Sequence, residues 1–159
     1  MRIEYFHASK WGNGEKAALE FKRQMEAAGV TVNVHHVKDS KPKEMPPADL
    51  YVFSSGGRMG GPRWCMKRFM KKAKLPPGTK YAILTTEGAP KPDPKTGKMP
   101  DQKELERWQR VIPKMSDILD KRGFVKIADG KVLVNEMKGP LEEGWEKKVS
   151  EFVGRIPIR

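Results

Sequence analysis

The stretch "HASKWGNGEKAA", residues 7–18, decides how this chain is read. An apolar run ends at Phe6, a polar loop containing Gly12 and Gly14 follows, and a helical pattern begins near Glu15. Taken alone, such a loop is either a cradle for a phosphate or a tight turn between a strand and a helix. The order G-x-G-x-x-G of a dinucleotide fingerprint is missing, and no Gly-Lys-Ser/Thr closes the loop as in a P-loop. The elements around it therefore have to decide.

Working outward, Arg2–His7 reads as a strand and Glu15–Ala28 as a helix. Ala18, Phe21, Met25 and Ala28 recur at three- and four-residue steps on one face of that helix, and Gly29 stops it. Thr31–Val37 alternates β-branched residues and reads as a second strand. After a Lys/Pro-rich connection, Leu50–Phe53 is a third strand, running into a loop at Ser54, Ser55, Gly56 and Gly57. Pro62 suits the first turn of a second helix, whose buried stripe is Met66, Phe69, Met70 and Ala73. Lys80–Leu84 is a fourth strand, ending in Thr85, Thr86, Glu87 and Gly88. Residues 89–100 hold four prolines and form a long loop, of the kind that is often functional or mobile.

The next helix spans about Asp101–Lys121, with Leu105, Trp108, Ile112, Met115 and Leu119 on one face. Pro113 lies inside it and is expected to kink or split it. Phe124–Val134 reads as a strand with an Asp129–Gly130 turn, either bent or a small hairpin. Gly139–Pro140 opens a last helix with Leu141, Trp145, Val149, Phe152 and Ile156 on one face. Trp108 and Trp145 are expected in the core. Strands alternating with helices predict an α/β fold, a mainly parallel sheet covered on both faces. The 159 residues suit a single domain, 1–159, without an internal repeat.

Three loops, 8–14, 54–61 and 85–92, then leave strands at their carboxyl ends. Ligands of open α/β sheets bind outside those ends, where strand order reverses. The first loop also feeds a helix, whose free N–H groups favour an anion. Ser9 supplies a hydroxyl and Asn13 an amide, while Gly12 and Gly14 let the backbone turn its N–H groups inward.

This arrangement resembles the flavodoxin family over nearly the whole chain. In that family a strand leads into a phosphate loop, Ser/Thr-x-Thr-Gly-x-Thr, and then a helix. The matching stretch is Ser9, Lys10, Trp11, Gly12, Asn13 and Gly14, followed by "EKAA". "FSSGGRMGGP" and "LTTEGAP" stand where the family's second and third loops stand. "GFVKI" and "KGPLEEGWEKKVSEF" look like its closing strand and helix. The resemblance implies a flavodoxin-like three-layer sandwich with a five-stranded parallel sheet in 2-1-3-4-5 order. It also implies FMN at the carboxyl edge and a role in electron transfer or flavin-dependent oxidoreduction. The first loop would take the FMN phosphate. Ser54, Ser55, Gly56, Gly57, Arg58 and Met59, with Thr85, Thr86, Glu87 and Gly88, would take the ring and ribityl chain.

Two family hydroxyls are replaced, the middle one by Trp11 and the last by Gly14. Each loss removes a hydrogen bond to a charged group, worth about 1.5–3 kcal/mol. Lys10 or Lys16 can supply point charges instead, and Trp11 either lies over a ligand or plugs the site. The second and third loops offer Arg58 and Met59 but no aromatic residue for the ring.

The net charge of +12 favours anionic partners. The densest basic run is Lys67, Arg68, Lys71, Lys72 and Lys74. An acidic redox partner is the sharper expectation. The alternative is a basic module that has lost FMN and binds an acidic protein or nucleic acid, although no nucleic-acid reader motif is present. Lone Cys65 excludes an internal disulfide and reads best as a small buried side chain. His35 and His36 point to opposite faces of a strand and do not suit one metal. His7 ends the first strand near the expected ligand edge. No nucleophile–base pair stands out. With no window of about 18 apolar residues and no signal-peptide pattern, the chain is expected to be cytoplasmic.

Overall fold

The computed structural model describes residues 1–58, 60–136 and 138–158, with the backbone alone described at position 58. The chain alternates β1 (Arg2–Ala8), α1 (Asn13–Ala27), β2 (Thr31–His36), β3 (Leu50–Arg58), β4 (Gly61–Pro62), α2 (Trp64–Lys72) and β5 (Lys80–Gly88). There follow α3 (Gln102–Trp108), α4 (Val111–Lys121), β6 (Val125–Val134) and α5 (Trp145–Gly154). The long strands pair in the order β2-β1-β3-β5-β6, all in parallel. Two-residue β4 folds back antiparallel on the end of β3. Setting that short hairpin aside, the order is the expected 2-1-3-4-5, with the reversal point between β1 and β3.

Alternation along the strands divides the interior in two. Ile3, Tyr5, Val52 and Leu84 face one side and meet Phe21 and Met25 of α1 and Val149 and Phe152 of α5. Phe6, Phe53, Tyr81 and Ile83 face the other and meet Met66, Phe69 and Met70 of α2 and Met115 and Leu119 of α4. Each of these buried large side chains contributes about 1.5–3 kcal/mol of transfer free energy. The result is a three-layer sandwich whose five long strands carry their carboxyl ends to one edge.

Several local expectations are corrected. β3 and β5 do not stop at Phe53 and Leu84. The ladder continues through Ser55–Thr85 and Gly56–Thr86, and Thr85–Gly88 pair with Lys131–Val134 of β6. Neighbouring backbone thus claims both "loops" as strand. Pro62 lies in β4, and α2 begins at Trp64. The 101–121 helix is split at Gln109 and Arg110. Pro113 becomes the third residue of α4, where its missing N–H costs nothing. Released from α4, α3 buries none of its residues and Trp108 is 69% exposed. Trp145 is half-buried against the α1/α5 side.

Asp129–Gly130 does not turn. β6 is one strand with a one-residue register slip opposite Tyr81 and Ala82. Gly130 is needed because a Cβ there would lie 3.1 Å from Phe152 Cδ1 and 3.3 Å from Leu84 Cδ1. Gly139–Pro140 precedes an antiparallel bridge between Val134 and Leu141, and α5 starts only after Gly144.

Candidate functional site

A cleft of about 650 Å³ opens at the carboxyl edge, between the first loop and the ends of β3, β5 and β6. That volume is in the range of small-molecule sites, roughly 300–1,000 Å³. Its first wall is residues 8–14. Gly12, at φ +88°, turns the chain into α1 in a conformation that costs a side-chain-bearing residue strain. Its N–H donates to Ser9 Oγ at 3.0 Å, which leaves the Ser9 hydroxyl hydrogen free to donate elsewhere. No side chain caps α1. Among the described residues, no acceptor takes the N–H of Asn13, Gly14 or Glu15 at the start of α1; the first bond from the loop into the helix is Lys16 N–H to Gly12 O. Gly14 has a local reason: a Cβ there would stand 3.1 Å from Ser9 Cβ.

The loop is gripped from beneath by two imidazoles. Ser9 N–H donates to His7 Nδ1 at 3.3 Å, and His36 Nε2 hydrogen-bonds Ser9 O at 2.9 Å. The His7 and His36 rings meet edge to face, 4.9 Å between centroids. His7 is buried, and that burial, with the neighbouring His36, pushes its pKa down to about 4. His7 is therefore neutral near pH 7 and able to accept. His35 faces the other way, as expected, pairing with Glu4 at 2.7 Å and stacking on Phe6. Among the described residues no cluster of His, Cys, Asp and Glu could hold a metal ion.

Trp11 does not plug the cleft. It forms part of the wall, 44% exposed, with Lys10 Nζ 4.9 Å and Lys138 Nζ 4.7 Å from its ring centre. Gly56 and Gly57 of β3 and Thr86 and Gly88 of β5 also line it. A Cβ at Gly88 would meet nothing within 4 Å, so the backbone there is bare toward a ligand.

Four expected residues turn inward instead. Ser55 ties the hairpin, accepting from Arg63 N–H at 2.9 Å and donating to Gly56 O at 2.8 Å. Thr85 donates to Glu87 at 2.9 Å, and Lys131 Nζ approaches the same carboxylate at 3.5 Å. Ser54 is buried with its hydroxyl unpartnered among the described residues, as is that of Tyr5. Glu87 faces a smaller neighbouring cleft of about 400 Å³, floored by Gly57 and Gly88 and closed by Trp108 and Gln109 of the α3–α4 segment. Met59 and the Arg58 side chain lie outside the described residues.

Sequence reasoning missed Arg63 and the Val134–Glu136 segment, and named neither Ala89 nor Lys91 individually within the expected 85–92 loop; all of these line the main cleft. Asn135 and Glu136 follow the fifth parallel strand, so the rule that selected the first three loops selects them too. Lys91 and Glu136 pair at 2.8 Å across the mouth. Chemically, one end of the cleft presents backbone N–H groups, a hydroxyl and an amide suited to an anion. The other presents glycine backbone that a flat group can approach closely.

No family model matches the chain, and no curated protein matches it. Solved structures do. Oxidised flavodoxin 2 from Bacillus cereus superposes with a TM-score of 0.74 at 16% identity, covering 98% of this chain and 97% of that one. Two-electron reduced Megasphaera elsdenii flavodoxin gives 0.63 at 20%, covering 96% and 98%. Rubredoxin oxygen:oxidoreductase from Desulfovibrio gigas gives 0.68 at 13%; the match takes in 98% of this chain but only 35% of that protein. The chain has the flavodoxin-like fold. Among the described residues no helix is long and apolar enough to cross a membrane.

Proposed function

We propose that this chain is a single-domain, cytoplasmic FMN protein, acting in electron transfer to an acidic redox partner or in flavin-dependent oxidoreduction. The observation that carries the reading is the donor set at the α1 end of the cleft. The N–H groups of Asn13, Gly14 and Glu15 and the Asn13 amide lie together without hydrogen-bond partners among the described residues, beside the Ser9 hydroxyl, whose oxygen accepts from Gly12 N–H and whose hydrogen is free to donate. A phosphate ester suits that set, because helix N-terminal amides and the helix dipole favour negative charge. The glycine backbone of β3 and β5 suits the flat ring. Flavodoxin neighbours of nearly equal length support the same reading.

FMN bound there would supply one- and two-electron redox chemistry. The chain's own residues bind and orient it. Ser9, Asn13 and Gly14 would take the phosphate, and Lys10 adds a nearby positive charge. Gly56, Gly57, Thr86 and Gly88 would flank the ribityl chain and ring, and Trp11 walls the cleft. The Glu87–Lys131 pair, on β5 and β6 near this cleft, would bias the redox potential of a flavin bound there.

A second reading is a basic module of the same fold that has lost FMN. It is favoured by the Trp11 and Gly14 replacements and by the net charge of +12. Titrating the protein with FMN separates the two. Saturable quenching of flavin fluorescence is expected. Asn13→Asp, which sets a carboxylate against the phosphate, should weaken it by about tenfold or more. No saturation at high FMN, with salt-sensitive retention on nucleic acid, would reject the FMN reading.

A further inference from the structure

The positive charge is not spread evenly. Between Asp49 and Glu87 the chain carries eight basic residues and no acidic one. α2 lies in the middle of that stretch. Its inward face is Met66, Phe69 and Met70. Its outward face carries Trp64, Lys67, Arg68 and Lys71, at spacings of three and four residues, and all four are exposed. Trp64 is 70% exposed, and the Arg68 guanidinium lies over its ring at 5.5 Å. The preceding residue, Arg63, lines the same cleft as Trp11. Trp11 repeats the arrangement, with Lys10 and Lys138 over its ring. Two exposed indoles thus hold cations, Trp64 one and Trp11 two; Trp11 lines the cleft, and Trp64 directly follows Arg63, which also lines it.

These cations are uncompensated. Among the described residues none of Lys10, Arg63, Lys67, Arg68, Lys71 or Lys138 stands in an ion pair. Trp and Arg are the residue types that dominate binding hot spots. Each ring also limits the freedom of the cation above it, so less side-chain entropy is lost when a partner's carboxylate arrives. No nucleic-acid reader motif accompanies these residues.

We infer that the outer face of α2, continued by Trp11 with Lys10 and Lys138 across the cleft, is a docking surface for an acidic protein. The partner would present a cluster of Asp and Glu side chains to Arg68, Lys67 and Lys71, with the cleft beside the contact. The docking does not require flavin.

The test uses a fluorescently labelled all-acidic peptide of about a dozen Asp and Glu residues, followed by anisotropy in low salt without added flavin. Arg68→Glu with Lys71→Glu should weaken binding by roughly tenfold or more. Lys22→Glu with Lys147→Glu changes the net charge equally on α1 and α5, which pack on the opposite side of the sheet from α2, and should change binding less than about twofold. Trp64→Ala leaves the charge unchanged and should still weaken binding by about threefold or more, because Arg68 loses its support. Equal loss in the two charge-reversal variants would reduce the effect to bulk charge and overturn the surface. A single-stranded oligonucleotide of equal charge that binds this face more tightly than the peptide would overturn the choice of partner. Flavin titration is a separate measurement, so failure here leaves the FMN reading standing.

Discussion

Acidification should unlock the first loop through His7. Its ring is buried and accepts Ser9 N–H, and its pKa is pushed down from 6.5 to about 4, first by desolvation and then by His36. Glu15 pulls the other way, and His35 adds a weaker push down. The folded chain therefore binds fewer protons at this site than the unfolded chain between those two pH values, so stability rises with pH across that window. The contribution is complete above about pH 6.5 and is lost as pH falls toward 4. A shift of this size is worth about 2 kcal/mol by pH 5 and about 3 kcal/mol by pH 4. Carboxylates titrate nearby, so the comparison must be differential. His7→Asn keeps an acceptor close to the Nδ1 position and removes the titration. Urea unfolding of both proteins at pH 7, 6, 5 and 4.5 should show the parent losing about 2 kcal/mol more than the variant by pH 5. Parallel pH profiles for the two would refute the account of His7 as a neutral clamp on Ser9.

Two further outcomes test the fold around the site. Gly130→Ala forces a Cβ to within 3.1 Å of Phe152 and 3.3 Å of Leu84, both in the packed core. It should cost about 1–3 kcal/mol in urea or thermal unfolding. Trp108→Ala, at a side chain 69% exposed, should change unfolding free energy by less than about 0.5 kcal/mol. A much larger loss would place Trp108 in the core after all.

Periodicity made the architecture legible. The stripe Met66, Phe69, Met70, Ala73 and the alternation of β1 name the buried faces with no reference to tertiary structure, because each face repeats with its own period. Element ends were less legible where the deciding partner lies far along the chain. "SSGG" and "TTEG" look like loops because hydroxyls and glycines favour turns. They are strand because each lies beside the other and, for the second, beside 131–134. Gly130 read as a turn because its function, making room for Phe152, is invisible until α5 packs on β6. Trp108 fitted an apolar stripe only while residues 101–121 were taken as one rod. Of the candidate site, the first-loop residues and the glycines of β3 and β5 do meet at one cleft. Thr85 and Glu87 belong to the supporting layer, because alternation along β5 turns them away from the face of Thr86, and Ser54 and Ser55 lie buried where β3 still pairs with β1 and β5.

The replaced hydroxyl at Gly14 changes meaning once Ser9 is placed. A threonine or serine at that position would bring a Cβ to 3.1 Å from Ser9 Cβ, so the extra hydroxyl would come only with a small shift of Ser9. Ser9 in turn receives the Gly12 N–H and is held by His7 and His36. The loop therefore trades one side-chain donor for a rigid frame of backbone donors. Its remaining cation, Lys10, sits over Trp11 and makes no hydrogen bond or ion pair within the described residues. An anion in this cradle would then meet oriented amides at short range and an unneutralised field beyond them. The same field serves the neighbouring basic face of α2, so phosphate recognition inside the cleft and carboxylate recognition at its rim draw on one concentration of charge.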